Sequence, residues 1–371
     1  MKLFYQNFNR YTGTRYQLKG KLLHAYLIFF LATFLCVGES AEAGERGENI
    51  SRGRAHLQYR GVNLSGAELN SSLRDAQINK DYVYPLSTEI NYYAQKNFNI
   101  IRLPFSGARL QLYENGPLDI AELSRIKTVV ANAAAKGMTT ILDVHDYGKR
   151  FNRSTMETKV IGARDGMPAV AFADFWSRIA NEFLHEPTVF FGIMNEPHLQ
   201  SPAEWRGAAE AAIYAIRATG SLHKILISGT AWSGAETWVK SGNAEAWKDF
   251  RDPAENFAFD VHNYLDQHGS GRDPTCHRDR GTKSLSAITE WAKARNFKLF
   301  LSEFGWAVNK QCMEEGTALL RFLLEHNGTW IGATYWAGGP WWPENYMFRL
   351  TPMDLNVPID RPQMKILLEN M

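Results

Sequence analysis

Cysteine is scarce in this chain: three residues in 371, at positions 36, 276 and 312. None has the spacing of a zinc site, and no His/Asp group is spaced as a metal-ligand set, so neither metal nor cofactor is expected. An excess of one charge is also missing. Lys and Arg total 41 against 39 for Asp and Glu, which excludes the strong basic field expected of a nucleic-acid partner. Nor does a glycine-rich phosphate turn follow the first apolar strand, which runs into Asn63-Leu64-Ser65-Gly66-Ala67-Glu68. Nucleotide, flavin and nicotinamide binding therefore have no signal. After about residue 50 there is no linker, repeat or low-complexity run.

One apolar run stands out, Ala25 to Val37 (AYLIFFLATFLCV). It is short of the ~20 residues a membrane span needs. Lys2, Arg10, Arg15, Lys19 and Lys21 precede it, and Ala41-Glu42-Ala43 follows. A basic lead-in, an apolar core and an A-x-A-like site describe a secretory signal peptide over residues 1–43. An uncleaved anchor is the alternative reading. Cleavage would leave no stable membrane association and a single secreted domain over 44–371. Cys36 lies in the signal core, so Cys276 and Cys312 remain, an even pair in an export context. That favours one disulfide over two free thiols.

The chain is 45% hydrophobic, with 11 Trp. Short β-branched and aromatic runs recur at 56–64, 98–105, 139–145, 189–195, 224–229, 257–264, 298–304 and 331–336. Amphipathic helical patterns at 120–136, 169–185, 202–219, 284–295 and 313–326 lie between them, and a last helix is expected at 362–369. Strands alternating with helices imply a parallel sheet with right-handed crossovers. Eight such units predict a single (β/α)8 TIM barrel, in preference to an open doubly wound sheet.

A barrel places its chemistry at the C-terminal ends of its strands. Those ends carry Arg102, His145, Asn195, Glu196, His262, Tyr264, Glu303 and Trp336. Taken singly, each has a plain structural reading as an ion-pair partner, a satisfied histidine or packing. Gathered at one barrel mouth, they form a site with two carboxylates, Glu196 and Glu303, which suggests glycoside hydrolysis.

The ordered motifs RGVNLSGAE (60–68), NIIRLPFS (99–106), ILDVHDY (141–147), GIMNEPH (192–198), VHNYLDQHGSG (261–271), LSEFGW (301–306) and YWAGGPWW (335–342) resemble glycoside hydrolase family 5. The resemblance covers about 56–345, and HNYLD…GSG with AGGPWW is similar to its endo-β-1,4-glucanase branch. It implies Glu196 as general acid/base and Glu303 as nucleophile. Arg102 and Tyr264 would hydrogen-bond Glu303, and Asn195 would bind a sugar 2-hydroxyl. His145 and His262 would contact sugar hydroxyls or the catalytic pair, and Trp336 would stack under a sugar ring. Trp232 is a further candidate sugar platform, with Trp341 and Trp342 behind it; loop packing is the plainer reading of all three.

Trp176, Trp205, Trp247 and Trp291, in helical stretches, are expected in the core or on the surface. His198 is close to the site without an assigned role. Asp146 departs from the Asn usual after the third-strand His and would add charge near the pair. The Gln267-His268 loop departs as well. The expected partner is a β-glucan polysaccharide, with mannan, xylan, mixed-linkage glucan or an exopolysaccharide as alternatives on the same chemistry. A monomer is expected. A non-catalytic sugar-binding barrel would require one of the two glutamates to be replaced, and both are present.

Overall fold

The computed structural model describes residues 56–153 and 155–371; the predicted secretory segment lies outside them. Ten strands are formed there: β1 (Tyr59–Leu64), β2 (Ile100–Phe105), β3 (Thr139–Val144), β4 (Lys149–Asn152), β5 (Glu157–Val160), β6 (Val189–Gly192), β7 (Ile225–Ser228), β8 (Phe257–Tyr264), β9 (Leu299–Gly305) and β10 (Trp330–Gly338). The helices are α1 (Ser87–Gln95), α2 (Gly107–Leu110), α3 (Ile120–Ala134), α4 (Ala169–Glu182), α5 (Pro202–Ala218), α6 (Asn243–Trp247), α7 (Arg280–Lys293), α8 (Lys310–Glu325) and α9 (Pro362–Asn370). Strands β1, β2, β3, β6, β7, β8, β9 and β10 pair in that order and close on β1. Every pairing in the ring is parallel. This is the expected (β/α)8 barrel, and no helix among the described residues is long and apolar enough to cross a membrane.

Helix starts follow side-chain chemistry. Asp119, Ser201 and Asn309 accept from the third backbone N–H of α3, α5 and α8, satisfying donors that a helix end leaves unpaired. Pro202 at the first position of α5 loses nothing by lacking an N–H.

The barrel interior is sorted by height. Tyr59, Ile100, Ile141, Phe190, Leu226, Ala258, Phe300 and Ile331, one from each barrel strand, form an apolar layer near the N-terminal end. Two residues further along, alternation turns Arg102, Asp143, Ser228, Asp260 and Ser302 inward, all at most 1% exposed. The interior thus changes from oil to ion pairs toward the C-terminal mouth. The out-facing residues join the large core under the helices, with Trp176, Trp205 and Trp247 fully buried and Trp291 nearly so.

Several features differ from the expectation, among them the helices α1, α2 and α6. An antiparallel hairpin, β4–β5, sits after β3; its sequences KRFN and ETKV are too polar to read as strands. Helix α7 begins at Arg280, four residues earlier than its apolar periodicity indicated. Cys276 and Cys312 form the expected disulfide, with Cα atoms 5.1 Å apart. It ties the loop after β8 to the first turn of α8.

Glu89 on α1 is a buried carboxyl facing the segment after β10. It accepts from the Leu86 N–H (3.3 Å) and the Thr351 hydroxyl (3.4 Å). Burial raises it to about 7, only partly offset by those bonds, Arg349 and the Gly339 backbone. An acid raised in the folded state binds its proton more tightly there than in the unfolded chain. Stability should therefore fall as pH rises from about 4.5 to about 7 and level off above. Glu89→Gln is expected to remove that slope and to be more stable than the parent at pH 8 by on the order of 1–3 kcal/mol. Denaturant melts at pH 5 and pH 8 check this; equal slopes in parent and variant would refute it.

Candidate active site

The mouth of the barrel is organised by Arg102. Its side chain is fully buried. Nη1 donates to Glu303 Oε1 at 2.6 Å and to Asn63 Oδ1 at 2.9 Å; Nη2 donates to Asn195 Oδ1 at 2.8 Å and lies 3.0 Å from Asp143 Oδ1. One planar cation thereby fixes residues from four segments of the wall, a use suited to guanidinium geometry. Tyr264, at the end of β8, donates its hydroxyl to Glu303 Oε2 at 3.0 Å. Both carboxylate oxygens of Glu303 are thus taken by the two residues expected to hold them.

Glu303 reaches the interior through an irregularity. Strict alternation along β9 would turn it outward with Leu301. The β8–β9 register instead shifts, pairing Val261 with Leu301 but His262 with Glu303. Ser302 is the extra residue of this bulge, and bulges beside active sites commonly re-aim a side chain. Ser302 also faces inward, donating to Asp260, so two successive side chains share the interior.

Glu196 follows β6 by four residues, at φ 44°. A non-glycine residue in this left-handed region is strained, the more so before Pro197. The surroundings hold it. The Asn195 N–H donates to the Val144 carbonyl at 2.8 Å, and His262 Nδ1 donates to Glu196 Oε1 at 2.7 Å. His262 Nδ1 also lies 3.5 Å from Glu303 Oε2, and Nε2 lies 3.4 Å from Asp260 Oδ1. Burial would push this imidazole down, but Glu303, Asp260 and Glu196 together push it up to about 10. His262 is therefore a cation at neutral pH. Burial likewise opposes ionisation of Glu303, but His262, Arg102 and His145 outweigh it and hold the carboxyl at about 2.

One ligand atom each from Glu196, His262 and Glu303 lie within 4.8 Å of one another, the one such group found among the described residues. These atoms could face a cation, but Arg102 and protonated His262 already supply positive charge there. The arrangement can deliver an ionised, buried carboxylate and a second, partly exposed carboxyl to opposite ends of one bond.

Matching the chain to known families gives "Cellulase (glycosyl hydrolase family 5)" over residues 56–339. The chain belongs to glycosyl hydrolase family 5. Family 5 is a family of glycoside hydrolases, and this chain is an enzyme of that kind. It is 32% identical over 322 residues to the probable endo-β-1,4-glucanase B of Aspergillus oryzae, covering 86% of this chain and 92% of that protein. Among solved structures, XacCel5A in complex with cellopentaose is 41% identical, with a TM-score of 0.79, covering 85% of this chain and 99% of that one. The endoglucanase Cel5A of Pseudomonas stutzeri in complex with cellobiose is 30% identical, with a TM-score of 0.76, covering 85% and 93%.

In this family 5 chain the expected site residues converge, with distinctions. His145 does not reach the carboxylate pair by a hydrogen bond. Its Nδ1 meets Asp143 at 2.7 Å, its Nε2 meets the Tyr147 hydroxyl at 3.2 Å, and its ring stacks on Trp336 (5.7 Å, 18°). Trp336 is half-buried at the end of β10, with Nε1 donating to the Tyr346 hydroxyl. Trp232 makes no ring contact with His145 or Trp336 and is 53% exposed on the loop after β7. Trp342 stacks on Tyr346 (4.0 Å, 13°), and Trp341 is exposed.

Asp146 is ion-paired within its own loop. It is buried against Arg150, whose Nε donates to it at 3.1 Å, and burial raises its carboxyl despite Arg150 and Arg109. The Asp secures the root of the β4–β5 hairpin. The sequence reading assigned no role to Asn63, Asp143, Asp260 or Tyr147. Asp143 and Asp260 each precede an assigned histidine by two residues, so strand alternation was the signal that could have found them.

Proposed function

We propose that this chain is a secreted, retaining endo-β-1,4-glucanase that cleaves internal bonds of a β-glucan by double displacement. The observation that carries the mechanism is the closeness of the two carboxylates, with an oxygen of each within 4.8 Å. Inverting enzymes leave room for a water, with carboxyl groups about 6.5–9.5 Å apart, whereas retaining ones keep them about 5–5.5 Å apart.

The division of labour follows the environments. Glu303 is buried and held ionised, as an attacking group must be. Glu196 has a 17% exposed side chain, so it can exchange protons with incoming water in the second step. In the first step Glu303 attacks the anomeric carbon while Glu196 gives its proton to the leaving oxygen. In the second, Glu196 takes a proton from water, which displaces Glu303 with a second inversion. Asn195 Nδ2 is buried without a hydrogen-bond partner; a sugar 2-hydroxyl would satisfy it. Trp336 and Trp232 offer ring faces to pyranose rings.

The glucan assignment draws on the relatives named as endo-β-1,4-glucanases and on the cellopentaose and cellobiose complexes of the similar structures. Secretion draws on the segment 1–43, and the Cys276–Cys312 bridge fits an oxidising compartment. The test is reducing-end release from carboxymethylcellulose, mixed-linkage glucan, mannan and xylan, with proton NMR of the first product from cellopentaose. Cleavage of β-1,4-glucans with initial release of the β-anomer is expected. Initial α-anomer would refute retention, and preference for mannan or xylan would refute the substrate.

A further inference from the structure

His198 lies two residues beyond Glu196 and bridges three parts of the mouth. Its Nδ1 is 3.1 Å from the Glu196 carbonyl oxygen. A carbonyl can only accept, so Nδ1 carries the proton and donates. Its ring lies flat against Trp232, with centroids 4.9 Å apart and planes 8° apart. Its other neighbour is Tyr147, edge-on at 6.5 Å. Tyr147 in turn meets His145, which stacks on Trp336. The rings Trp336, His145, Tyr147, His198 and Trp232 therefore form one continuous series, with His198 as the link to the exposed end.

That end needs support. Ala231, Trp232 and Ser233 all have left-handed backbones, at φ 54°, 57° and 55°. Three successive non-glycine residues in this region persist only where the surroundings over-determine them. The Ser233 hydroxyl donates to the Asp260 carbonyl, and the Trp232 N–H donates to the Pro197 carbonyl at 3.2 Å. The His198 stack fixes the indole itself. The same imidazole thus braces a strained carboxyl-bearing residue, Glu196, and a strained aromatic one, Trp232.

We propose that His198 is a positioning residue that sets the distance between the Glu196 carboxyl and the Trp232 platform. It would register the departing sugar against its proton donor. This rests on the assignment of Glu196 as acid/base. Registration matters only when the leaving group is a sugar that sits on Trp232 and needs a proton. A dinitrophenyl leaving group needs neither.

The test compares cellopentaose with 2,4-dinitrophenyl β-cellobioside. His198→Ala is expected to lower kcat/KM on cellopentaose on the order of 10–100-fold, the scale of a small misplacement of reacting groups, and to change the aryl substrate less than about 3-fold. His198→Phe keeps the stack and loses the bond to the Glu196 carbonyl. It should recover most of KM on cellopentaose and leave kcat depressed. Equal losses on both substrates in His198→Ala would overturn the inference in favour of a merely structural role. No loss on either would also overturn it. The parent is assayed first: a parent inactive on both substrates would refute the proposed function and this inference with it, whereas an active parent confines any failure to His198.

Discussion

Glu303→Gln is expected to lower kcat on cellopentaose by about 10⁴-fold or more, the scale on which loss of a reacting group removes enzyme catalysis. The fold should remain. Glutamine has the same shape, and its amide oxygen can still accept from Arg102 Nη1, which reaches Glu303 Oε1 at 2.6 Å. What disappears is the negative charge proposed to attack the anomeric carbon. That charge is also the leading influence holding His262 protonated against its burial, so the variant's His262 should release its proton at lower pH than the parent's. Two readouts separate the carboxylates. Azide added to Glu303→Gly should restore turnover and give the α-glycosyl azide, because a small anion replaces the nucleophile in a single inversion. Azide added to Glu196→Gly should give the β-product, because it intercepts a glycosyl-enzyme already inverted once. The reverse pattern would exchange the two roles. A Glu303→Gln variant retaining a tenth of parental activity would remove Glu303 from the chemistry altogether.

The eight barrel strands were legible because each is a short β-branched or aromatic run buried on both faces, and the long helices because their apolar stripes are wide. The mouth was legible because polar residues such as Arg102, His262 and Glu303 sit at the ends of otherwise apolar runs, where burial demands a partner. Geometry dependent on departures from regularity was not legible. Alternation along β9 assigns Glu303 to the outer face, and only the bulge at Ser302 brings it inside. The hairpin β4–β5 has little apolar content of its own, and its strand residue Arg150 is buried and paired with Asp146 at its root. For the same reason the pairing of Asp146 was not legible: its partner Arg150 is four residues away on an element without a sequence signature. The left-handed turn at 231–233 contains no glycine to announce it, because hydrogen bonds and ring contacts from neighbouring loops impose it.

Arg102→Met should be the most damaging change that leaves both glutamates in place. The guanidinium is the fixed cation for Glu303 and Asp143, both almost fully buried. Methionine fills much of the volume and supplies no charge. Breaking a buried ion pair by removing one member costs about 3–5 kcal/mol, because the remaining charge is left uncompensated. The catalytic consequence has a definite sign. Glu303 is held at about 2, below the ordinary 4.5. Its ionised form therefore contributes stability that is fully present above about pH 4.5 and is lost as pH falls toward 2. Without Arg102 the burial of Glu303 is less opposed, so its proton should bind at higher pH. The stability contribution shrinks, and the acid limb of the kcat profile moves toward neutral. Arg102→Lys should fall between, since an ammonium keeps the charge but cannot serve Glu303, Asn63, Asn195 and Asp143 with one planar fork. Denaturant melts at pH 7 and kcat on cellopentaose from pH 3 to pH 8 measure both effects. An acid limb that stays in place in the methionine variant, together with a stability loss under about 1 kcal/mol, would mean that His262 and His145 alone keep Glu303 ionised and that Arg102 serves only to orient Asn195.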